Sequence, residues 1–227
     1  MNLEQARFNM IEQQIRPWDV LDTDVLDLLM IVKREAFVPA AHRSMAFVDA
    51  EIPLPGGENM LQPKFEARIL QELSVKKHEQ VLEIGAGSGY MAALLAYKAR
   101  HVTTVDILPE LAELARANLG AAGIDNVDVQ TGDGAQGWPA VAAGSSGGAL
   151  DQAYDVIVVS GSTPLLPQQL MQQLKIGGRM FVVTGGAPAM TAQLVTRTAD
   201  IGFATVKLFE TVIRPLRNAA APSRFTF

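Results

Sequence analysis

Apolar residues near the start of the chain recur at the spacing of an α-helix. The first run covers residues 3–15 and stops before Pro17, which cannot continue a helix. The second run covers residues 25–32, and Asp22 or Thr23 can cap its first turn. The pattern therefore predicts two helices that form an N-terminal appendage.

Residues that break regular structure dominate the next stretch of the chain. Residues 49–63 contain three prolines and two adjacent glycines, too many for a helix or strand to be expected. Helical spacing resumes over residues 65–73. The pattern predicts a loop, either functional or a simple connector, followed by a third helix.

From residue 80 onward, short β-rich runs alternate with helical runs. The elements predicted in chain order are strand 81–84, helix 91–99, strand 101–105, helix 109–119, strand 127–130, strand 154–159, helix 165–174 and strand 179–184. A turn is predicted at Gly177-Gly178, and residues 204–213 can add edge strands. This rhythm is typical of βαβ units, so we expect an α/β fold whose mainly parallel sheet has helices on both faces.

The length of the chain limits the number of domains. A chain of 227 residues, 48% of them hydrophobic, can build one α/β domain but is too short for two average domains with linkers. We expect a single domain over residues 1–227, with the helices and the loop in residues 1–78 and the sheet in residues 79–227. Residues 140–153 are rich in Gly, Ala and Ser and predict a surface insertion.

Composition narrows the class of protein further. The 19 basic and 24 acidic residues give a net charge of -5, which argues against nucleic acid or anionic lipid as the main partner. The chain has no cysteine and only three scattered histidines, so no metal site is expected. Neither a signal peptide nor an apolar run of about 20 residues is present, which favours a cytoplasmic protein outside the membrane.

The strongest candidate for chemistry lies where the first predicted strand of the sheet ends. Glu83 is followed by Gly85, Gly87 and Gly89, and glycines at a strand-to-helix turn let the backbone approach a nucleotide-like ligand closely. Dinucleotide-binding proteins use the same architecture but place the third glycine one residue later. An acid two residues before Gly-x-Gly-x-Gly looks like the methyltransferase version of the fold, which binds S-adenosylmethionine.

Two further acids strengthen this interpretation. Asp106 ends the second strand of the sheet, the place where an acid accepts the ribose hydroxyls of a cofactor. Asp133 follows the third strand and can hold an adenine amino group, although aspartate and glycine also favour ordinary turns. We expect S-adenosylmethionine to contact Glu83, Gly85, Ala86, Gly87, Ser88, Gly89, Asp106, Ile107, Asp133 and Gly134.

Three segments resemble the protein-L-isoaspartate O-methyltransferase family. Residues 34–39 (Arg-Glu-Ala-Phe-Val-Pro) look like its N-terminal signature, residues 81–90 look like its cofactor loop, and residues 132–138 (Gly-Asp-Gly-Ala-Gln-Gly-Trp) are the most specific match. The resemblance implies a Rossmann-like methyltransferase fold with N-terminal helices, an altered order of the last strands and Pro215-Leu216 in the final strand. It also implies a protein or peptide substrate, methylated on a carboxylate of an isoaspartyl residue.

That reaction suits a chain with few candidate bases. A carboxylate with an ordinary pKa of about 4 is already ionised at neutral pH, so it needs no general base before it accepts a methyl group. Catalysis can then rest on alignment of the reactants and on exclusion of water.

The resemblance weakens in the loop that is expected to face the acceptor. The family reads approximately Gly-Gln-Thr-Ile-Ser-x-Pro there, whereas this chain has Glu58, Asn59 and Leu61 at the glutamine, threonine and serine positions. Asn59 and Leu61 are thus the candidate catalytic positions. Without a hydroxyl at residue 61 we expect weak isoaspartyl turnover, unless Leu61 packs in the core and Asn59 or Gln62 serves as the donor.

Two other functions stay open at this point. One is a related methyltransferase with another acceptor, including a small molecule. The other is a cofactor-binding protein without turnover, which would act through partners by its N-terminal helices or by Phe225 and Phe227.

Overall fold

A computed structural model describes residues 2–139 and 154–220 of the chain. The predicted insertion at 140–153 and the two phenylalanines of the C-terminal tail lie outside the described residues. Within the described ranges, no helix combines the length and the apolar character that a membrane span requires.

The first helical run forms where its spacing predicts it. Helix α1 covers Leu3–Met10, and the Asn2 side chain caps it by accepting hydrogen bonds from two amides of the first turn. The run continues as a π-helical turn, Ile11–Ile15, and a 3-10 turn, Arg16–Trp18. The second of these turns contains Pro17, and the helical run ends there.

The second and third predicted helices also form. Helix α2 covers Thr23–Ile31, and the Asp22 carboxylate caps it, as predicted. Helix α3 covers Pro63–Leu73, with its proline in the first turn, where no backbone donor is lost.

The breaker-rich loop is only partly irregular. Ile52–Pro53 (β1) and Asn59–Met60 (β2) pair as a short antiparallel hairpin, so the expectation of no regular element over residues 49–63 is wrong. The turn at Pro55–Gly57 absorbs most of the breaker residues, and both of its glycines have positive φ. The breakers thus serve the turn and leave room for two very short strands.

Seven strands form the main sheet, in the order β5-β4-β3-β6-β7-β8-β9. Their bounds are Gln80–Ile84 (β3), His101–Asp106 (β4), Val127–Thr131 (β5), Tyr154–Thr163 (β6), Leu174–Gly186 (β7), Ala189–Arg197 (β8) and Phe203–Thr211 (β9). Strands β3 to β7 pair in parallel, and β8 and β9 are antiparallel. The mainly parallel sheet is confirmed, and its last three strands follow one another in sequential order.

Helices connect the parallel strands. They are α4 (Tyr90–Lys98), α5 (Pro109–Ala121) and α6 (Gln168–Gln172). The last is much shorter than the helix predicted over residues 165–174. Pro167 precedes its first residue and β7 begins two residues after its end, so packing of the next strand limits its length.

The C-terminal part of the sheet departs most from the sequence prediction. The turn predicted at Gly177-Gly178 is a bulge inside β7, because Tyr154 pairs with Leu174 while Val156 pairs with Arg179. The sequence pattern did not predict strand β8. Residues 204–213 were expected to add edge strands, and a single strand, β9, forms there at one edge of the sheet. β9 lies at the edge and is largely exposed, and in β8 the polar Gln193 and Arg197 are among the buried residues, so the apolar pattern of both strands is weak.

Pro215-Leu216 lies beyond the final strand, which corrects the prediction that it belongs to that strand. β9 ends at Thr211, and Pro215 makes an isolated parallel bridge to Ser162 of β6. The segment after β9 therefore crosses back to the middle of the sheet.

The two faces of the sheet bury separate apolar clusters. In β6, Val156 and Val158 pack with the cluster that includes α1 to α5, whereas Ile157 and Val159 pack with the cluster that includes α6. Alternate residues of a strand point to opposite faces, so a strand covered on both sides is apolar throughout. Helices on both faces of the sheet are thus confirmed.

Candidate active site

The glycine loop between β3 and α4 adopts a backbone that other residues rarely reach. Gly85, Gly87 and Gly89 have φ values of 97°, 53° and 83°. A Cβ on Gly89 would lie 3.2 Å from the backbone of Ala115, so this glycine lets α4 begin close against α5. The loop therefore turns tightly and presents the backbone of its first residues to an open cleft.

Asp106 joins the end of β4 to the glycine loop. Its Oδ2 accepts a hydrogen bond from the amide of Gly87 at 2.9 Å, and its Oδ1 accepts one from the amide of Leu108 at 3.0 Å. Burial raises the pKa of Asp106, and the two amides oppose that effect. Each carboxylate oxygen has a further lone pair with which it can accept a ligand hydroxyl.

Asp133 lies at the next strand end, after β5. Its Oδ1 accepts from the amide of Ala135 at 3.0 Å, which forms a local turn. Its Oδ2 accepts from the side-chain amide of Asn218 at 2.9 Å. One oxygen of Asp133 therefore serves an ordinary turn, which was the alternative interpretation. The other oxygen holds the C-terminal segment at the cleft.

Glu83 lies beneath the glycine loop and is fully buried. Its Oε2 accepts from the Thr104 hydroxyl at 2.7 Å and its Oε1 from the Ser160 hydroxyl at 2.9 Å. Burial raises the pKa of Glu83 to about 8, against the opposing effect of the two hydroxyls. The carboxyl group thereby connects β3 to both neighbouring strands at the edge where the cleft opens.

These strand ends form one cleft with about 710 Å³ of open space. Its floor is the carboxyl edge of β3, β4, β5 and β6, where ligands bind in open α/β sheets. Its opposite wall consists of the hairpin that carries Asn59 and of the segment after β9. A smaller adjoining hollow extends below Leu61 towards Glu66 and Glu83.

Two arginines of the segment after β9 contact the hairpin. The Arg214 Nε donates to Asn59 Oδ1 at 2.9 Å, and the Arg217 Nε donates to Glu58 Oε1 at 2.9 Å. The segment is held on the sheet by the backbone of Ser162, which donates to the Arg214 carbonyl and accepts from the Leu216 amide. Residues far apart in the chain therefore build this wall together.

A buried ion pair supports the hairpin from the other side. The Arg34 side chain is fully buried and pairs with Glu66 of α3. Its Nη2 also donates to the Leu61 carbonyl at 2.7 Å, and its Nε donates to the Ala46 carbonyl at 3.1 Å. Burial raises the pKa of Glu66 to about 7, although the Arg34 charge opposes the shift. Arg34 thus holds the backbone of the predicted acceptor loop.

A model of the protein-L-isoaspartate(D-aspartate) O-methyltransferase family matches residues 5–218, nearly the whole chain. The chain belongs to this family. Methyl transfer from S-adenosylmethionine is accordingly its chemistry.

Individual members of the protein-L-isoaspartate O-methyltransferase family are similar over most of their length. A protein of this name from Rhodopseudomonas palustris is 41% identical over 212 residues, which cover 92% of each chain. One from Methanoculleus marisnigri is 40% identical over 181 residues, 80% of this chain and 78% of its own.

Solved structures of the family share the fold. A Plasmodium falciparum protein-L-isoaspartate O-methyltransferase in complex with S-adenosylhomocysteine has a TM-score of 0.77 at 18% identity, over 96% of this chain and 99% of its own. A second structure of that name has a TM-score of 0.76 at 25% identity, over 96% of this chain and 67% of its own.

The cleft fits the cofactor of this methyltransferase family. Gly85 and Gly87 line it with bare backbone, and a Cβ on Gly87 would meet only Leu54, at 3.3 Å. The carboxylate of Asp106 faces the same space. A nucleoside with two ribose hydroxyls and a cationic sulfur matches a wall of backbone and carboxylates.

The cleft brings together part of the predicted cofactor set. Gly85, Gly87, Asp106, Ile107, Asp133 and Gly134 line it, as do both candidate acceptor-loop residues, Asn59 and Leu61. Glu83, Ala86 and Ser88 line the smaller hollow instead, and Gly89 lines neither. The glycine turn thus lies between the two openings, because Gly85 and Gly87 line both of them.

Sequence reasoning missed several residues of this methyltransferase cleft. Ser160 and Gly161 line it from β6, and a serine and a glycine directly after the predicted strand 154–159 could have indicated them. Arg214 and Arg217 also line it. No local signal could have placed these arginines, because they reach the cleft only through the crossing of the segment after β9.

Proposed function

We propose that this chain transfers a methyl group from S-adenosylmethionine to a free carboxylate of isoaspartyl residues in damaged proteins. The names of its relatives support this acceptor, and the resemblance of residues 132–138 agrees with them. When bound, S-adenosylmethionine supplies a methyl group on a positively charged sulfur, which an ionised acceptor takes up as an ester.

One observation carries the choice of an ionised acceptor. Among the described residues that line the cleft, the acidic ones are Glu58, Asp106 and Asp133, and none is histidine, lysine or tyrosine. Glu58 pairs with Arg217, and both aspartates accept backbone or side-chain amides. A cleft whose acids are all engaged suits an acceptor that needs no deprotonation, and a carboxylate meets that condition.

The roles of the cofactor residues follow from their positions. We assign the Asp106 carboxylate to the ribose hydroxyls, and the bare backbone of Gly85 and Gly87 to close contact with the nucleoside. Asp133 and Gly134 are assigned to the adenine end of the cleft. Glu83 and Gly89 act as positioning residues, because they hold the loop and make no wall of the cleft.

The acceptor loop uses Leu61 for packing. Its side chain is 7% exposed and belongs to the apolar core, while its carbonyl is held by Arg34. This arrangement supports the alternative in which another donor serves the acceptor. Of the two candidates considered, Asn59 lines the cleft and Gln62 does not. We therefore assign the acceptor contact at this loop to Asn59.

Methyl transfer from labelled cofactor tests the proposal directly. Purified protein should methylate an isoaspartyl peptide and leave the same peptide with a normal aspartyl residue unlabelled. Whole-cell protein and a metabolite extract are assayed in parallel. Label that enters only the metabolite extract would identify a small-molecule methyltransferase, and cofactor binding without any transfer would identify a binding protein.

Leu61→Ser separates packing from catalysis. Removing buried apolar atoms and adding a hydroxyl should cost about 2–4 kcal/mol of unfolding free energy without raising isoaspartyl turnover. Urea denaturation and the peptide assay measure the two effects. A turnover that rises about tenfold would show that the missing hydroxyl limits this protein. Leu54→Ser, in the same hairpin and equally buried, is the matched control for lost packing.

A further inference from the structure

We propose that Arg214 binds the carboxylate of the methyl acceptor and makes the acceptor end of the cleft selective for anionic groups. The inference rests on the proposed function in one respect, namely that the acceptor is a carboxylate. It adds a specificity-determining residue that lies outside both the cofactor loop and the hairpin.

The charges along the cleft single out this arginine. Two cationic side chains, Arg214 and Arg217, are among the described residues that line it. Arg217 is already engaged, because it pairs with Glu58 at 2.7 Å and its Nη2 donates to the Gly56 carbonyl at 2.8 Å. Arg214 makes no ion pair within 4 Å in the described part of the chain.

The geometry of Arg214 leaves its outer nitrogens available. Its Nε donates to Asn59 Oδ1 at 2.9 Å, and within residues 2–139 and 154–220 its two Nη groups donate no hydrogen bond. A guanidinium anchored through Nε presents a fork of N–H donors that matches the two oxygens of a carboxylate. The side chain is exposed at the rim, so a bound peptide can cover it.

The backbone around Arg214 is firmly placed. Its carbonyl accepts from the Ser162 amide at 2.9 Å, and the next residue but one, Leu216, donates to the Ser162 carbonyl at 2.8 Å. The Ser162 hydroxyl donates to the Ile213 carbonyl at 3.1 Å. These contacts fix the backbone of Arg214 against β6 and hold the guanidinium beside Asn59. Binding of an acceptor therefore does not have to order this part of the chain first.

The positive charge of Arg214 also affects the neighbouring carboxylate of Glu51. Burial raises the pKa of Glu51, and the Arg214 charge opposes that shift. The two side chains form no ion pair within 4 Å. An acceptor carboxylate in the cleft would therefore be the first anion in direct contact with the guanidinium. The apolar Leu61 on the same wall cannot supply such a contact.

Peptide binding to the complex with S-adenosylhomocysteine tests the inference without relying on turnover. Calorimetry compares an isoaspartyl peptide with its analogue in which the free carboxylate is a carboxamide. The unmutated protein should bind the carboxylate peptide about tenfold more tightly than the carboxamide peptide. Hydrogen bonds between charged groups raise an affinity by about that factor relative to hydrogen bonds with a neutral partner. Arg214→Gln should abolish the preference, and Arg214→Lys should keep part of it.

Arg100→Gln is the matched control. Arg100 is exposed and directly precedes β4, at the end of the sheet opposite the cleft, so its loss removes one charge without touching the site. Its carboxylate preference should equal that of the unmutated protein. An unchanged preference in Arg214→Gln would overturn the inference.

The affinity for S-adenosylhomocysteine shows whether Arg214 binds a carboxylate of the cofactor or the carboxylate of the peptide. If Arg214→Gln weakens that affinity and leaves the peptide preference intact, the arginine serves the cofactor, and the inference is wrong. Unmutated protein that prefers the carboxylate peptide but does not methylate it would refute the proposed function, while loss of that preference in Arg214→Gln would still show that Arg214 binds a carboxylate. Protein that binds neither peptide would overturn the inference.

Discussion

The two walls of the cleft are built in different ways. The cofactor wall includes backbone amides and a carboxylate that lie close together in sequence, since Gly87 and Asp106 are 19 positions apart. The acceptor wall consists of side-chain contacts between distant segments, and Asn59 and Arg214 lie 155 positions apart in the sequence. It is supported from behind by the buried pair of Arg34 and Glu66.

This difference explains where the chain departs from its family resemblance. Backbone positions with positive φ accept few residues, so the glycine loop tolerates little change. Side-chain contacts across the acceptor wall, such as the ion pair of Glu58 with Arg217, place no comparable limit on the backbone. The wall that selects the acceptor can therefore change while cofactor binding is preserved.

The largest effect is expected from breaking the buried pair behind the acceptor wall. Arg34→Met leaves Glu66 buried without its partner, which should cost about 3–5 kcal/mol of unfolding free energy. The double variant Arg34→Met/Glu66→Met should recover a large part of that loss. Urea denaturation of both variants measures the effect. Equal losses in the two variants would mean that the contacts of Arg34 to the carbonyl groups, and not the ion pair, support the wall.

On the cofactor wall, Gly87→Val should weaken S-adenosylhomocysteine binding about a hundredfold while the protein stays folded. A branched side chain at φ 53° would meet Leu54 and occupy the space in front of the loop. Gly123→Val shares a positive φ of 69° but has no atom within 4 Å of its Cβ and lies outside the cleft. Calorimetry that finds equal affinities in the two variants would locate the ligand elsewhere.

Asp106→Ala should weaken binding of the same ligand at least about tenfold. The variant removes the two charge-assisted hydrogen bonds that we assign to the ribose, each with a net contribution of about 1.5–3 kcal/mol. Asp133→Ala should have a smaller effect, because Asp133 is assigned to the adenine end of the cleft, where it meets one amino group, whereas Asp106 is assigned to two ribose hydroxyls. A larger loss in Asp133→Ala than in Asp106→Ala would reverse the assignment of the two acids.

A further prediction concerns the pH dependence of stability, through the buried carboxyl group beneath the cofactor wall. Because burial raises the pKa of Glu83 from 4.5 to about 8, the folded protein holds this proton more tightly than the unfolded chain does. The resulting stabilisation is complete below about pH 4.5 and is lost as the pH rises to about 8. Glu83→Gln should therefore lose less unfolding free energy between these values than the unmutated protein. Parallel pH curves of the two proteins, measured by urea denaturation, would show that Glu83 is ionised when folded.

Several features of the fold and the site are predictable from short stretches of sequence. The caps Asn2 and Asp22 lie beside the amides that they bind, so α1 and α2 begin where local chemistry requires. Gly85, Gly87 and Asp106 meet because parallel strands end at one edge of the sheet, a consequence of βαβ connectivity that the sequence rhythm already indicates. Part of the cofactor wall could thus be predicted, whereas Ser160 and Gly161 of the same cleft were missed.

Only the tertiary structure decided the acceptor wall. Arg214 meets Asn59, and Arg34 meets the Leu61 carbonyl, because packing of the whole domain brings these segments together. No periodicity or local propensity encodes contacts across 155 residues, and exposed arginines look alike in sequence. The sequence determined that the protein has a methyltransferase cofactor site, through positions that only glycine or an acid can fill. Long-range packing decided which side chains face the acceptor, since the chemistry of each depends on a partner that the local sequence does not specify.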